Sequence, residues 1–138
     1  FKKVLVFGRT KWGVSKLEKN LSKRGFRTAA IHGNKSQGAR TKALKNFKDG
    51  TVKILVATDI AARGIDVDHI KLVINFDLPT MIEDYTHRIG RTGRRDKPGY
   101  SLTMICPEDD DRFHNIEFIY DIKVALIDDE FNNIEEEN

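Results

Sequence analysis

Five short runs rich in β-branched residues, at 3–7, 27–31, 53–57, 71–76 and 100–106, alternate with segments of helical period, and this alternation limits the folds open to the chain. The runs are mostly apolar, as expected of strands buried on both faces. Between them, Val14, Leu17 and Leu21 recur at i, i+3 and i+7 before Gly25, and Ala39, Ala43, Leu44 and Phe47 form a second stripe before Asp49-Gly50. Further helical segments are predicted around 82–89 and 109–120. Such a βαβαβ order predicts an α/β fold, a parallel sheet with helices on both faces, whose ligands collect at the loops beyond the carboxyl ends of the strands. At 138 residues the chain fits a single domain with one core.

Residues 1–120 carry 23 Lys/Arg against 14 Asp/Glu, whereas 121–138 carry one against seven. The body is basic and the end acidic, so a domain is expected over 1–120 and an acidic edge or tail over 121–138. A basic body can hold a polyanion by displacing its counterions, and lysines solvated on helix faces produce the same count. With Cys106 as the one cysteine, no internal disulfide can form, and His32, His69, His87 and His114 are too scattered for a zinc site. A reducing, cytoplasmic compartment is expected. No apolar run approaches the roughly 20 residues of a membrane span. A start at Phe1 that enters a strand at once is expected of a fragment. The acids of Glu108-Asp109-Asp110-Asp111 suit a helix N-terminus, and no metal site is expected there, since consecutive carboxylates on a helix diverge.

The segment Gly8-Arg9-Thr10-Lys11-Trp12-Gly13-Val14-Ser15 imitates the phosphate-binding loop G-x-x-x-x-G-K-[ST], but Val14 stands in place of the lysine. No Asp-Glu-Ala-Asp tetrad occurs either, so a phosphate cradle and magnesium ligands have to come from elsewhere. A second constellation, His87-Arg88-Ile89-Gly90-Arg91-Thr92-Gly93-Arg94, interleaves cationic side chains with glycines that allow close backbone approach. Guanidinium groups stay charged and fork onto phosphate oxygens, which makes this an anion-site candidate; a solvated basic loop is the alternative. Trp12 and Phe26 are isolated aromatics, as expected of core or helix-packing residues.

The eight-residue string resembles motif VI of the DEAD-box RNA helicases, and three further motifs of that family's C-terminal RecA-like domain stand in order. Val4-Leu5-Val6-Phe7-Gly8-Arg9-Thr10 resembles motif IV, with Gly8-Arg9 where Val-Asn is commoner. His32-Gly33 followed by Gln37 and Arg40 resembles the HG…QxxR element. Residues Ala57-Thr58-Asp59-Ile60-Ala61-Ala62-Arg63-Gly64-Ile65-Asp66 resemble motif V. DEAH-type and RecQ-type helicases usually carry glutamine where His87 stands. The stretch from Ile31 to Arg40 resembles the bacterial RhlE branch.

The resemblance implies a RecA-like fold and one half of an ATP-dependent RNA helicase, inactive as an ATPase without its N-terminal RecA-like domain. It implies that Arg91 and Arg94 are arginine fingers, that Asp66 and Gly64 meet the nucleotide, and that His87 couples the ATP site to the partner domain or simply packs under its loop. RNA would be held through its backbone, independently of sequence, by Arg9, Thr10, Gly33, Gln37, Arg40, Thr58, Arg63 and Gly64. Gln37 and Arg40 are expected to share a face of the second helix opposite the Ala43/Phe47 stripe. Thr58 and Asp59 fit equally a helix cap after the third strand. ATP is the implied substrate, with Mg²⁺ held by the N-terminal domain.

Overall fold

The computed structural model describes residues 2–63, 70–93 and 99–120. Its elements run β1 (Val4–Gly8), α1 (Lys11–Lys23), β2 (Thr28–Ile31), α2 (Gln37–Asp49), β3 (Ile54–Thr58), α3 (Asp59–Ala62), β4 (Leu72–Asn75), α4 (Ile82–Ile89), β5 (Tyr100–Thr103) and, after a 3₁₀ turn at Pro107–Asp109, α5 (Asp110–Tyr120). The chain divides after Ile105 into two compact units, the first holding the sheet with α1 to α4 and the second the 3₁₀ turn with α5. The expected acidic edge at 121–138 lies outside the described residues, and among those described no helix is long and apolar enough to cross a membrane.

All strand pairs are parallel, in the order β2-β3-β1-β4-β5. Period-two alternation sends neighbouring side chains to opposite faces. On one face Leu5, Phe7, Ile31, Leu55, Ala57 and Val73 pack with Ala43 and Phe47 of α2 and with Ala61 and Ala62 of α3. On the other, Val6 and Val56 pack with Val14 of α1, supported by Leu17 and Leu21. The two helical stripes legible in the sequence therefore cover opposite faces, which is the expected RecA-like α/β arrangement. Burial of both strand faces holds for β1 and β3 at the centre of the sheet. It fails at the edges, where β2 is mostly half-buried and the first two residues of β5 are exposed, because an edge strand has a neighbour on one side only.

Gly25 and Gly50, both at positive φ (93° and 89°), terminate α1 and α2 in a conformation that a Cβ would strain. At Gly8 the reason for glycine is space: a Cβ there would stand 2.9 Å from Val14 Cγ2, so the end of β1 and the first turn of α1 touch. Parallel register then brings the strand ends to one edge. Gly8 pairs with Thr58, Ile31 with Ala57, Phe7 with Asn75, and Asn75 with Thr103, so the loops after β1 to β4 emerge side by side.

Candidate functional site

Of the four helices that follow β1 to β4, three are closed by a hydroxyl, and α4, with Met81 at its N-cap, has no side-chain cap. Thr10 Oγ1 accepts from the Gly13 N–H at 3.0 Å, Ser36 Oγ from Ala39 at 3.1 Å and Thr58 Oγ1 from Ala61 at 3.4 Å. Side-chain caps of this kind satisfy N–H groups that a helix start leaves unpaired. For Thr58 the cap reading of the sequence is therefore realised. The four-residue α3 that it starts had left no periodic signal in the sequence.

Around α3 the arginines divide into a buried one and several at the rim. Arg88 of α4 is fully buried. Its Nε and Nη2 donate to the two carboxylate oxygens of Asp59 at 2.6 and 2.7 Å, while Nη1 donates to the Asp77 carbonyl and reaches Asn75 Oδ1 at 3.5 Å. The guanidinium also lies 5.3 Å over the Phe7 ring. A bidentate, charge-assisted pair with further acceptors is the arrangement that makes a buried charge tolerable. Asp59 is thus the first residue of α3 and the counterion of α4. Nothing in the eight-residue string singled out Arg88 from its neighbours.

Arg63 and Arg91 stand where that clamp ends. Arg63 Nη2 donates to Asp84 Oδ1 at 3.0 Å, and His87 Nδ1 approaches the same oxygen at 3.6 Å. Asp84 is buried, whereas His87 is exposed, so the packing role considered for His87 does not apply. Arg91 Nη2 donates to the Ala62 carbonyl at 3.3 Å, and the Arg91 carbonyl accepts from Ile70 N–H at 3.0 Å. Asp59, Arg63, Asp84, His87, Arg88 and Arg91 line one open pocket of about 430 Å³. Its two carboxylates are already engaged by guanidiniums. Gly64, Asp66 and Arg94 lie outside the described residues.

On the side toward α2, Arg40 differs from its expected placement. It shares the face of Ala43 and Phe47, since 40, 43 and 47 are spaced i, i+3 and i+7, and its half-buried guanidinium donates from Nη2 to the Ala61 carbonyl at 3.0 Å. Arg40 Nε is buried without a hydrogen-bond partner among the described residues. Gln37 is exposed at the first turn of α2. Arg40 and Arg91 therefore hold consecutive carbonyls at the end of α3, groups that a helix C-terminus leaves without intrahelical donors. Arg9 ties β1 to the loop after β4, its N–H donating to Asp77 Oδ2 at 3.0 Å and its Nε to the Leu78 carbonyl at 3.1 Å.

Behind Gly33, which is exposed, His32 is buried. Asn34 N–H donates to His32 Nδ1 at 3.2 Å, which places the ring proton on Nε2, 2.8 Å from Ser15 Oγ. Burial, with the charges of Lys35 and Lys11, holds its pKa below the ordinary histidine value. Trp12 and Phe26, expected to be packed, are instead exposed. No group of three His, Cys, Asp or Glu able to hold a metal stands among the described residues.

With this geometry in view, residues 1–96 match the family described as Helicase conserved C-terminal domain. The chain is 48% identical over 113 residues to the DEAD-box ATP-dependent RNA helicase CshA of Geobacillus kaustophilus, covering 82% of this chain and 24% of that protein. It is 52% identical over 102 residues to the ATP-dependent RNA helicase DBP3 of Yarrowia lipolytica, covering 74% and 19%. Among solved structures it is similar to the E. coli DEAD-box protein SrmB bound to regulator of ribonuclease activity A. That match has a TM-score of 0.86 and 32% identity, covering 98% of this chain and 80% of that one. The chain spans about a fifth to a quarter of the length of these two curated relatives.

Proposed function

The chain belongs to the helicase conserved C-terminal domain family, in its DEAD-box branch, and on that premise we propose how it serves an ATP-dependent RNA helicase. In this reading it supplies one wall of an ATP site and one wall of an RNA groove, the N-terminal RecA-like domain of the same protein supplying the others. The observation that carries the proposal is the division among the arginines at α3. Arg88 is neutralised by Asp59 and withdrawn, while Arg91 remains on the pocket rim and Arg40 on the side of α2.

Arg91, with Arg94, stabilises the charge that develops on the transferred phosphoryl group, a task worth on the order of 10³–10⁵ in rate for a finger arginine. Gly64 and Asp66 meet the nucleotide, and His87, exposed beside Asp84, couples the pocket to the partner domain. Arg9, Thr10, Gly33, Gln37, Arg40, Thr58, Arg63 and Gly64 offer guanidinium, hydroxyl and backbone donors to phosphate and sugar, which position a strand without reading its bases. Mg²⁺ does not fit this chain's pocket, where Asp59 and Asp84 are held by arginines, and its ligands are assigned to the partner domain. The isolated chain is inactive, because no lysine cradles the phosphates. The RhlE branch and a cytoplasmic location are the finer assignments that accompany this reading.

The test separates the two walls in the complete protein. Arg91→Ala and Arg94→Ala are expected to lower ATP turnover by about 10³-fold while nucleotide binding weakens far less. Arg40→Ala is expected to raise the RNA concentration needed for half-maximal stimulation, with a smaller effect on turnover at saturating RNA. Steady-state ATPase across RNA concentration, with direct binding of each ligand, makes the comparison. Near-normal turnover in both finger variants would overturn the assignment of the ATP wall.

A further inference from the structure

One exposed aromatic is used by neither the core nor the backbone contacts proposed above. Trp12 is the second residue of α1 and the chain's one tryptophan, and 73% of its surface is open to solvent. It is also held in place. The Thr10 cap fixes the first turn of α1, and the Lys11 ammonium lies 5.5 Å from the ring centroid while donating to Asn34 Oδ1 at 3.3 Å. Ring, ammonium and the loop after β2 thus form one surface, with Arg9 and Thr10 following β1 and Gly33 following β2.

The sequence on either side of this ring and in the loop after β2 carries charge of one sign, and the Asp77 carboxylate that meets this edge accepts from the Arg9 N–H. Segments 9–16 and 33–36 contain Arg9, Lys11, Lys16 and Lys35 and no acidic residue. An ordinary protein interface would be expected to bring both signs or an apolar surround, whereas an indole set among cations suits a chain of phosphates carrying flat apolar groups. We propose that Trp12 is a stacking platform for one base of single-stranded RNA whose backbone crosses Arg9, Thr10 and Gly33. The inference rests on the RNA reading of this edge and adds to it a contact that the backbone donors cannot make. Every base has a π-face, so the platform tolerates any sequence, and the Lys11 ammonium can serve the ring and an adjacent phosphate together. A stacking contact also loses little strength in salt, unlike the phosphate contacts beside it.

Because Trp12 is the chain's one tryptophan, its emission reports on the site directly. Labelled oligouridylate is titrated into the chain while anisotropy records binding and tryptophan emission is followed in parallel. The expected result is quenching that tracks anisotropy, about tenfold weaker binding for Trp12→Ala, and near-normal binding for Trp12→Phe. An abasic oligomer of equal length and charge is expected to bind the unmodified chain more weakly and without quenching, and Trp12→Ala should add no further loss on that oligomer. A rise in anisotropy without quenching, or Trp12→Ala binding oligouridylate as the unmodified chain does, would overturn the stacking platform and leave the backbone groove intact. If anisotropy does not rise at all, the RNA reading of the whole edge falls, and the platform with it.

Discussion

The seams that join α1 and α2 to the sheet are apolar, filled by Val14 and Leu17 on one face and by Ala43 and Phe47 on the other. The seam between α3 and α4 is ionic, built on Arg88, Asp59, Asn75 and the Asp77 carbonyl. An apolar seam is non-directional and tolerates small shifts, so it supplies stability. A bidentate ion pair is costly to desolvate and demands one geometry, so it supplies position. The difference explains why the ionic seam lies under the pocket: Arg63, His87 and Arg91 flank Arg88 and Asp59, and each depends on where α3 and α4 sit.

Breaking the ionic seam should have the largest effect. Arg88→Met leaves Asp59 without its counterion and is expected to destabilise the fold by about 3–5 kcal/mol, read from urea unfolding. Adding Asp59→Leu should recover part of that loss, the remainder reflecting Asn75 and the Asp77 carbonyl without their donor. If the double variant were no more stable than the single one, the pair would not be the source of the cost. On the apolar seam, Phe47→Leu keeps most of the buried volume and should cost less than about 1.5 kcal/mol, with no partner whose change restores it.

The smallest effect sharpens the contrast with a neutral buried polar group. The His32 pKa lies below its ordinary value of 6.5, so the unfolded chain binds the proton more readily than the folded one. Stability from this residue is therefore complete above pH 6.5 and declines as pH falls through the lower folded value. Urea midpoints at pH 7.5 and pH 5.5 should differ more for the unmodified chain than for His32→Gln. Equal differences would remove His32 as the source.

Strand and helix positions were legible from periodicity, and the segment at 82–89 coincides with α4. Periodicity failed where an element is shorter than its own repeat, as in α3, and where a side chain's partner is distant in sequence. Arg88 and Asp59 are 29 positions apart, so no local pattern distinguishes a buried clamp from a finger. Arg40 differs for another reason: its i, i+3 spacing from Gln37 suggests a shared outward face, although its spacing from Ala43 and Phe47 puts it on the inward one. The exposure of Trp12 was equally hidden, since a tryptophan beside an apolar stripe reads the same whether it packs or not.

The contact between Gly8 and Val14 bears on how glycine spacing should be interpreted. Val14 has no exposed surface and packs with Val6 and Val56, and at Gly13 a Cβ would come within 3.1 Å of Thr10 Oγ1. The glycines that mimic a nucleotide-binding loop are thus accounted for by a helix turning tightly off a strand. Converting Val14 to lysine would complete the consensus in letters, yet it would drive an ammonium into the hydrocarbon beneath the sheet. Glycine spacing and cradle geometry are separable properties, and here the spacing is present without the cradle.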